Sequence, residues 1–154
     1  MFGYAGKFLR IDLSTGKIEK KESDPRMQTK FVGGIGMSAR FLFDSVLPNT
    51  DALSRGNALI ASSGPFSGTS IIGANKTDWT FKSPLTGMAA TAASGDFGTH
   101  LKWAGYDSMV IKGKASKPVY VTIFDDEVRI NEAADLWGMD NYATADEQIG
   151  RAHV

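Results

Sequence analysis

Lys7-Phe-Leu-Arg-Ile-Asp-Leu13, then Ser14-Thr-Gly-Lys17, then Ile18-Glu-Lys-Lys-Glu22 is the stretch that decides the fold class. Apolar and polar residues alternate through Lys7 to Leu13, the period of a strand with one buried face. Ser14 to Lys17 supplies a turn in which Gly16 takes a positive φ without steric cost, and the chain returns through Glu22 with its charges mostly outward. The reading is a β-hairpin. Just beyond it, Asp24-Pro25 matches an N-cap followed by proline at the first helical position, which predicts a short helix to about Phe31. After Gly36, Met37, Phe41, Leu42 and Val46 recur at helical spacing until Leu47-Pro48 ends the pattern.

Further along, Asn57-Ala-Leu-Ile-Ala61 is a short apolar run that reads as a buried strand, followed by a loop rich in Ser, Gly and Thr from Ser62 to Gly73. Thr77 to Phe81 and Gly87 to Ala93 read as strands on either side of the Ser83-Pro-Leu-Thr-Gly87 turn. Phe97 to Ala104 predicts a short helix leading into Ser108-Met-Val-Ile-Lys112. A second hairpin, Val119 to Phe124 and Glu127 to Ile130, closes around Asp125-Asp126. Hairpin-plus-helix units on both sides of a strand-and-glycine centre predict an α+β, β-rich domain and not a doubly wound sheet.

The 154 residues suffice for one domain, and 42% hydrophobic with 22% charged excludes bulk disorder. Seventeen Lys+Arg against seventeen Asp+Glu leave no net charge, which argues against nucleic acid or an anionic membrane as the main partner. With no cysteine, disulfides, thiolate zinc, iron–sulfur ligation and a cysteine nucleophile are all excluded within these residues. The start lacks the basic and apolar regions of a signal peptide, and no apolar run approaches the ~20 residues of a spanning helix, so a soluble, cytoplasmic protein is expected. At the other end, an amphipathic stretch from Asp140 to Gln148 starts like a helix and stops without a terminating signal. One reverse translation of Ile149-Gly-Arg-Ala-His-Val154, ATC GGA AGA GCA CAC GTC, matches a common sequencing adapter. Residues 149–154 are therefore expected to be foreign, and 1–148 to be part of a longer domain.

Twelve of the 17 glycines lie between Gly33 and Gly113, interleaved with Ser62, Ser63, Ser67, Thr69, Ser70, Asn75 and Thr77. Such bare backbone makes a succession of turns or lets a ligand approach the main chain; the clustering supports both readings. Gly34-Ile-Gly-Met-Ser-Ala39 fits the G-x-G-x-x-A dinucleotide pattern, but the segment before it is charged and proline-initiated, not an apolar strand. It is read as a tight loop-to-helix turn. His100, with no partner carboxylate at helical spacing, is read as a surface histidine, and Asp125-Asp126-Glu127 as a solvated hairpin tip. Trp79, Phe81, Trp103 and Tyr106 are read as core or interface aromatics. No catalytic residue and no metal ligand is assigned within the chain.

Tyr4-Ala-Gly-Lys-Phe-Leu-Arg-Ile-Asp-Leu-Ser-Thr-Gly16, Phe31-Val-Gly-Gly-Ile-Gly36, Ser63-Gly-Pro-Phe-Ser-Gly-Thr69, Lys82-Ser-Pro-Leu-Thr-Gly87, Ser94-Gly-Asp-Phe-Gly98 and Leu101-Lys-Trp-Ala-Gly-Tyr-Asp107 occur in that order. Together they resemble the N-terminal domain of the tungsten-containing aldehyde:ferredoxin oxidoreductases. The resemblance implies a base for a bis-pterin cofactor of tungsten or molybdenum, beside a [4Fe-4S] cluster whose cysteines lie in later domains. It also implies cofactor contacts from Asn75, Lys76, Thr77, Ala93, Ser94 and Gly95. Lys76 stands where the family more typically has arginine, keeping the charge while losing the planar fork. The implied partners are the C-terminal domains of the same chain and a ferredoxin or electron-transfer subunit; a homo-oligomer is left open. The implied activity is oxidation of an aldehyde to a carboxylic acid. A tungsten-dependent aromatic acyl-CoA reductase of the same family and a non-catalytic binding module are the alternatives.

Overall fold

A computed structural model describes residues 2–87, 89–93 and 95–152. Among the described residues, eight strands and four helices follow one another as β1 (Lys7–Asp12), β2 (Lys17–Glu22), α1 (Pro25–Phe31), α2 (Gly34–Ser45), β3 (Ala58–Ser63), β4 (Thr77–Phe81), β5 (Ala89–Ala93), α3 (Phe97–Trp103), β6 (Ser108–Lys112), β7 (Val119–Phe124), β8 (Glu127–Glu132) and α4 (Asn141–Ala152). The fold is α+β. Six strands form one sheet in the order β2-β1-β6-β3-β4-β5, and β7 with β8 form a separate hairpin. All pairings are antiparallel except that of β1 with β6, which sets Phe8 beside Ser108 and Asp12 beside Lys112.

Alternation in the strands divides the core between the two faces of the sheet. Leu9, Ile11, Ala61 and Met109 point to one face, where Leu101 of α3, the fully buried Tyr106 and the apolar side of the β7–β8 hairpin cover them. Ile60 and Val110 point to the other, under Leu42, Phe41 and Val46 of α2. The Phe8 and Phe41 rings meet there with centroids 4.8 Å apart. Fully burying a Leu, Ile or Val contributes roughly 1.5–3 kcal/mol, so the two faces supply the main driving force for this sheet.

Element boundaries depart from the sequence reading where tertiary contacts override local pattern. α2 begins at Gly34, ahead of Gly36, because the Gly33 carbonyl already accepts from the Gly36 and Met37 N–H groups at 3.2 and 3.5 Å. β3 runs on to Ser63, since Ser62 and Ser63 are buried and hydrogen-bonded to β6: the Ser62 and Ser108 hydroxyls lie 2.6 Å apart, and Ser63 donates to the Asp107 carbonyl at 3.2 Å. The C-terminal helix does not stop at Gln148 but continues to Ala152, as nothing in residues 149–152 breaks it. Asp24 caps α1 as expected, accepting from the Arg26 N–H at 2.8 Å.

Candidate functional site

One edge of the sheet gathers the residues singled out in the sequence. The register places Ser63, at the end of β3, opposite Thr77 at the start of β4, and Thr77 opposite Ala93 at the end of β5. The strand ends at Thr77 and Ala93 are thereby brought side by side although 16 positions separate them in sequence. Asn75, Lys76, Ala93 and Gly95 are exposed on this edge. Thr77 differs: it is 2% exposed, and its hydroxyl fills the space where a Cβ on Gly98 would stand, so the side chain locks α3 against β4. Ser94 lies outside the described residues.

The loop joining β3 to β4 is held in shape from beneath. Lys102 of α3 is almost fully buried and donates to the Gly64 carbonyl at 2.7 Å, with its ammonium 3.5 Å from the Asp107 carboxylate. Asp107 also accepts from the backbone N–H groups of Ala5 and Gly6 at 2.9 and 2.8 Å, which ties the N-terminal segment to the same point. The Lys102 ammonium lies 5.8 Å from the centre of the Tyr4 ring. Burial pushes the Lys102 pKa down, and the Asp107 carboxylate offsets part of that shift. Farther round, the Trp103 indole N–H donates to the Gly68 carbonyl at 3.2 Å, and Ser67 donates to the Ala74 carbonyl at 2.9 Å. The sequence reading missed Lys102 because a buried lysine leaves no periodic signal. It is recognisable only once Asp107 is known to sit beside it.

The glycines of Gly33-Gly34-Ile35-Gly36 have internal causes. A Cβ on Gly33 would stand 2.9 Å from the Ser63 carbonyl oxygen, one on Gly34 would overlap the Asp78 carboxylate, and one on Gly36 would overlap the Phe31 carbonyl. The start of α2 thus faces a carboxylate of its own chain where a dinucleotide fold would present a pyrophosphate, which settles the G-x-G-x-x-A pattern as a packing turn. Burial raises the Asp78 pKa, while the Ile35 N–H and the charge of Lys76 pull it back.

Other residues weighed in the sequence fall outside this edge or have plain roles. His100 is exposed and meets Trp103 edge-on, ring centroids 5.4 Å apart. Trp103 itself is 65% exposed, so of the four aromatics only Tyr106 is fully buried; Trp79 and Phe81 are half-buried, and Trp79 packs on Phe97 at 4.9 Å. Asp125, Asp126 and Glu127 are exposed at the β7–β8 turn, where Lys20 donates to the Asp126 carbonyl. Among the described residues no group of three or more His, Asp or Glu is placed to hold a metal ion, and no helix is long and apolar enough to cross a membrane.

Known proteins share both this sequence pattern and this arrangement. Residues 8–153 match the family model of the aldehyde ferredoxin oxidoreductase N-terminal domain. A tungsten-containing aldehyde ferredoxin oxidoreductase of Pyrococcus furiosus is 40% identical over 100% of this chain, which covers 26% of that protein. The aliphatic sulfonate oxidoreductase WOR-like subunit of the same organism is 36% identical over 90% of this chain and 23% of its own length. Among solved structures, the active-site complex BamBC of benzoyl coenzyme A reductase, bound to 1,5-dienoyl-CoA, superposes with a TM-score of 0.95 at 35% identity, over 99% of this chain and 23% of that one. The chain belongs to the aldehyde ferredoxin oxidoreductase N-terminal domain family. It spans about a quarter of the length of the relatives it matches.

Proposed function

We propose that this chain is the cofactor-cradling part of a tungsten or molybdenum bis-pterin oxidoreductase that oxidises aldehydes to carboxylic acids, with ferredoxin as electron acceptor. The observation that carries the reading is the register Ser63–Thr77–Ala93, which joins the two family-implied contact segments into one exposed edge. The donor set suits a large, flat, anionic group. Gly64, Gly73 and Gly95 have nothing within 4 Å of where a Cβ would stand, so bare main chain faces outward along the edge. At Gly64, where φ is not positive, no neighbour within this chain excludes a side chain, which leaves the main chain there open to a group from outside.

In this reading the main chain of 93–95 and 75–77 supplies neutral donors and acceptors, and exposed Lys76 supplies positive charge against phosphate or pterin oxygens. Lys102 and Trp103 hold the 64–68 loop at a fixed height beneath them through the Gly64 and Gly68 carbonyls. The bound metal centre would supply the two-electron chemistry. A [4Fe-4S] cluster would take its ligands from later parts of the protein, as this chain has no cysteine.

The test is direct. Full-length protein produced with tungstate or molybdate is analysed for metal and released pterin, then assayed for aldehyde-dependent reduction of a viologen. Stoichiometric metal with aldehyde turnover is the expected result; folded protein that takes up neither metal nor pterin would sink the reading. A second reading, a tungsten-dependent aromatic acyl-CoA reductase, is supported by the close superposition on the benzoyl coenzyme A reductase complex. Turnover of an aromatic acyl-CoA in place of aldehydes would select it.

A further inference from the structure

We propose that Asp78 is a positioning residue for the surface around Lys76: its carboxylate fastens the first turn of α2 to the start of β4 and counterbalances the lysine's charge. The role in the lysine's field rests on the cofactor-facing reading of residues 75–77, whereas the fastening does not.

The first turn of α2 lacks a capping side chain of its own. A helix N-terminus leaves its first N–H groups without intrahelical acceptors, and an Asp, Asn, Ser or Thr cap is the usual remedy. Here the cap residue is Gly33, no side chain caps the turn, and its first turn contains no acidic residue. The Gly36 N–H reaches back to the Gly33 carbonyl at 3.2 Å and the Gly33 N–H to the Phe31 carbonyl at 2.7 Å, which leaves the Gly34 and Ile35 amides to be answered from elsewhere. Asp78, from β4, brings its carboxylate to that spot. Its oxygen occupies the space a side chain at Gly34 would need; burial raises its pKa, and the Ile35 N–H offsets part of that rise. The negative charge therefore sits at the positive end of the helix, where it is stabilising. Lys76, two positions before Asp78 in the chain, adds its positive charge to the field at the same carboxylate. One carboxylate thus meets both α2 and β4 and lies in the field of the candidate site's cation.

Hydrogen exchange followed by mass spectrometry on the full-length protein separates the parts of this proposal. Asp78→Ala is expected to speed exchange in peptides covering residues 33–37 about tenfold, the loss of a helix cap or charged hydrogen bond. Asp78→Asn keeps an acceptor oxygen and is expected to stay within about twofold of wild type. In metal-loaded protein, redox titration of Asp78→Asn should move the midpoint potential of the centre upward, opposite to Lys76→Met, because a negative charge has been removed. Unchanged exchange at 33–37 in Asp78→Ala would overturn the proposal. So would an unmoved Asp78→Asn potential in a protein whose Lys76→Met potential falls. Protein that shows the exchange pattern but binds no metal supports the fastening by Asp78 and defeats the cofactor reading alone.

Discussion

Asp107 and Lys102 show how a buried charge can be worth keeping. The Asp107 carboxylate is 8% exposed and takes two backbone N–H groups besides the Lys102 ammonium, so its charge is answered on several sides. Asp107→Ala is expected to cost about 2–4 kcal/mol, read by chemical denaturation, since it strands the buried ammonium and two amides together. Lys102 also makes a pH prediction with a definite sign. Its folded pKa lies below the ordinary 10.5, so over the window between the two values the unfolded chain holds a proton that the folded chain has released. Stability gains from this group as pH rises through that window. Lys102→Met should remove that gain, seen as the difference between the two proteins' melting temperatures as pH rises toward 10.5. Tyr106, whose pKa burial raises, acts in the opposite sense at higher pH in both proteins and cancels from the comparison.

At the scale of elements, the strands with clean alternation and the capped helix α1 were legible from local residues, because alternation, Asp24-Pro25 and Gly16 each act within a few positions. The start of α2 was not, since the group packed against Gly34 is the Asp78 carboxylate of β4, more than forty positions away. Nor was the place of β6 between β1 and β3: no residue in Ser108 to Lys112 names its neighbours, and register is chosen by burial on both faces. The candidate site was half legible. The family resemblance implied contacts from Asn75, Lys76, Thr77, Ala93, Ser94 and Gly95, but only the β4–β5 pairing sets Thr77 beside Ala93, and only the packing on Gly98 shows that the Thr77 side chain is turned inward. Lys76, in contrast, is exposed at the lip of β4. Lys76→Met is accordingly expected to change stability by less than about 0.5 kcal/mol. If Lys76 faces the redox centre of the full-length protein, as the proposed function has it, the same change should lower that centre's reduction potential, because a nearby cation favours the more negative reduced state. An unmoved potential in an electron paramagnetic resonance titration would take Lys76 out of the site.

For the whole molecule, the chain's coverage of about a quarter of its relatives' length leads to one expectation. Supplied with cofactor, residues 1–154 alone should show no aldehyde-dependent viologen reduction; turnover near that of the full-length protein would refute this. The parallel seam between β1 and β6 bears on how such a chain is made. Ala5 and Asp107 are 102 positions apart, yet they bond across that seam. A ribosome adding about 5–20 residues per second needs roughly 5–20 s to supply the distance. Throughout that interval the emerging hairpin has Leu9 and Ile11, both destined for complete burial, waiting for a neighbour not yet translated. Nascent chains stalled between residues 30 and 100 should therefore be bound by holding chaperones, and those stalled well beyond Lys112 should be released.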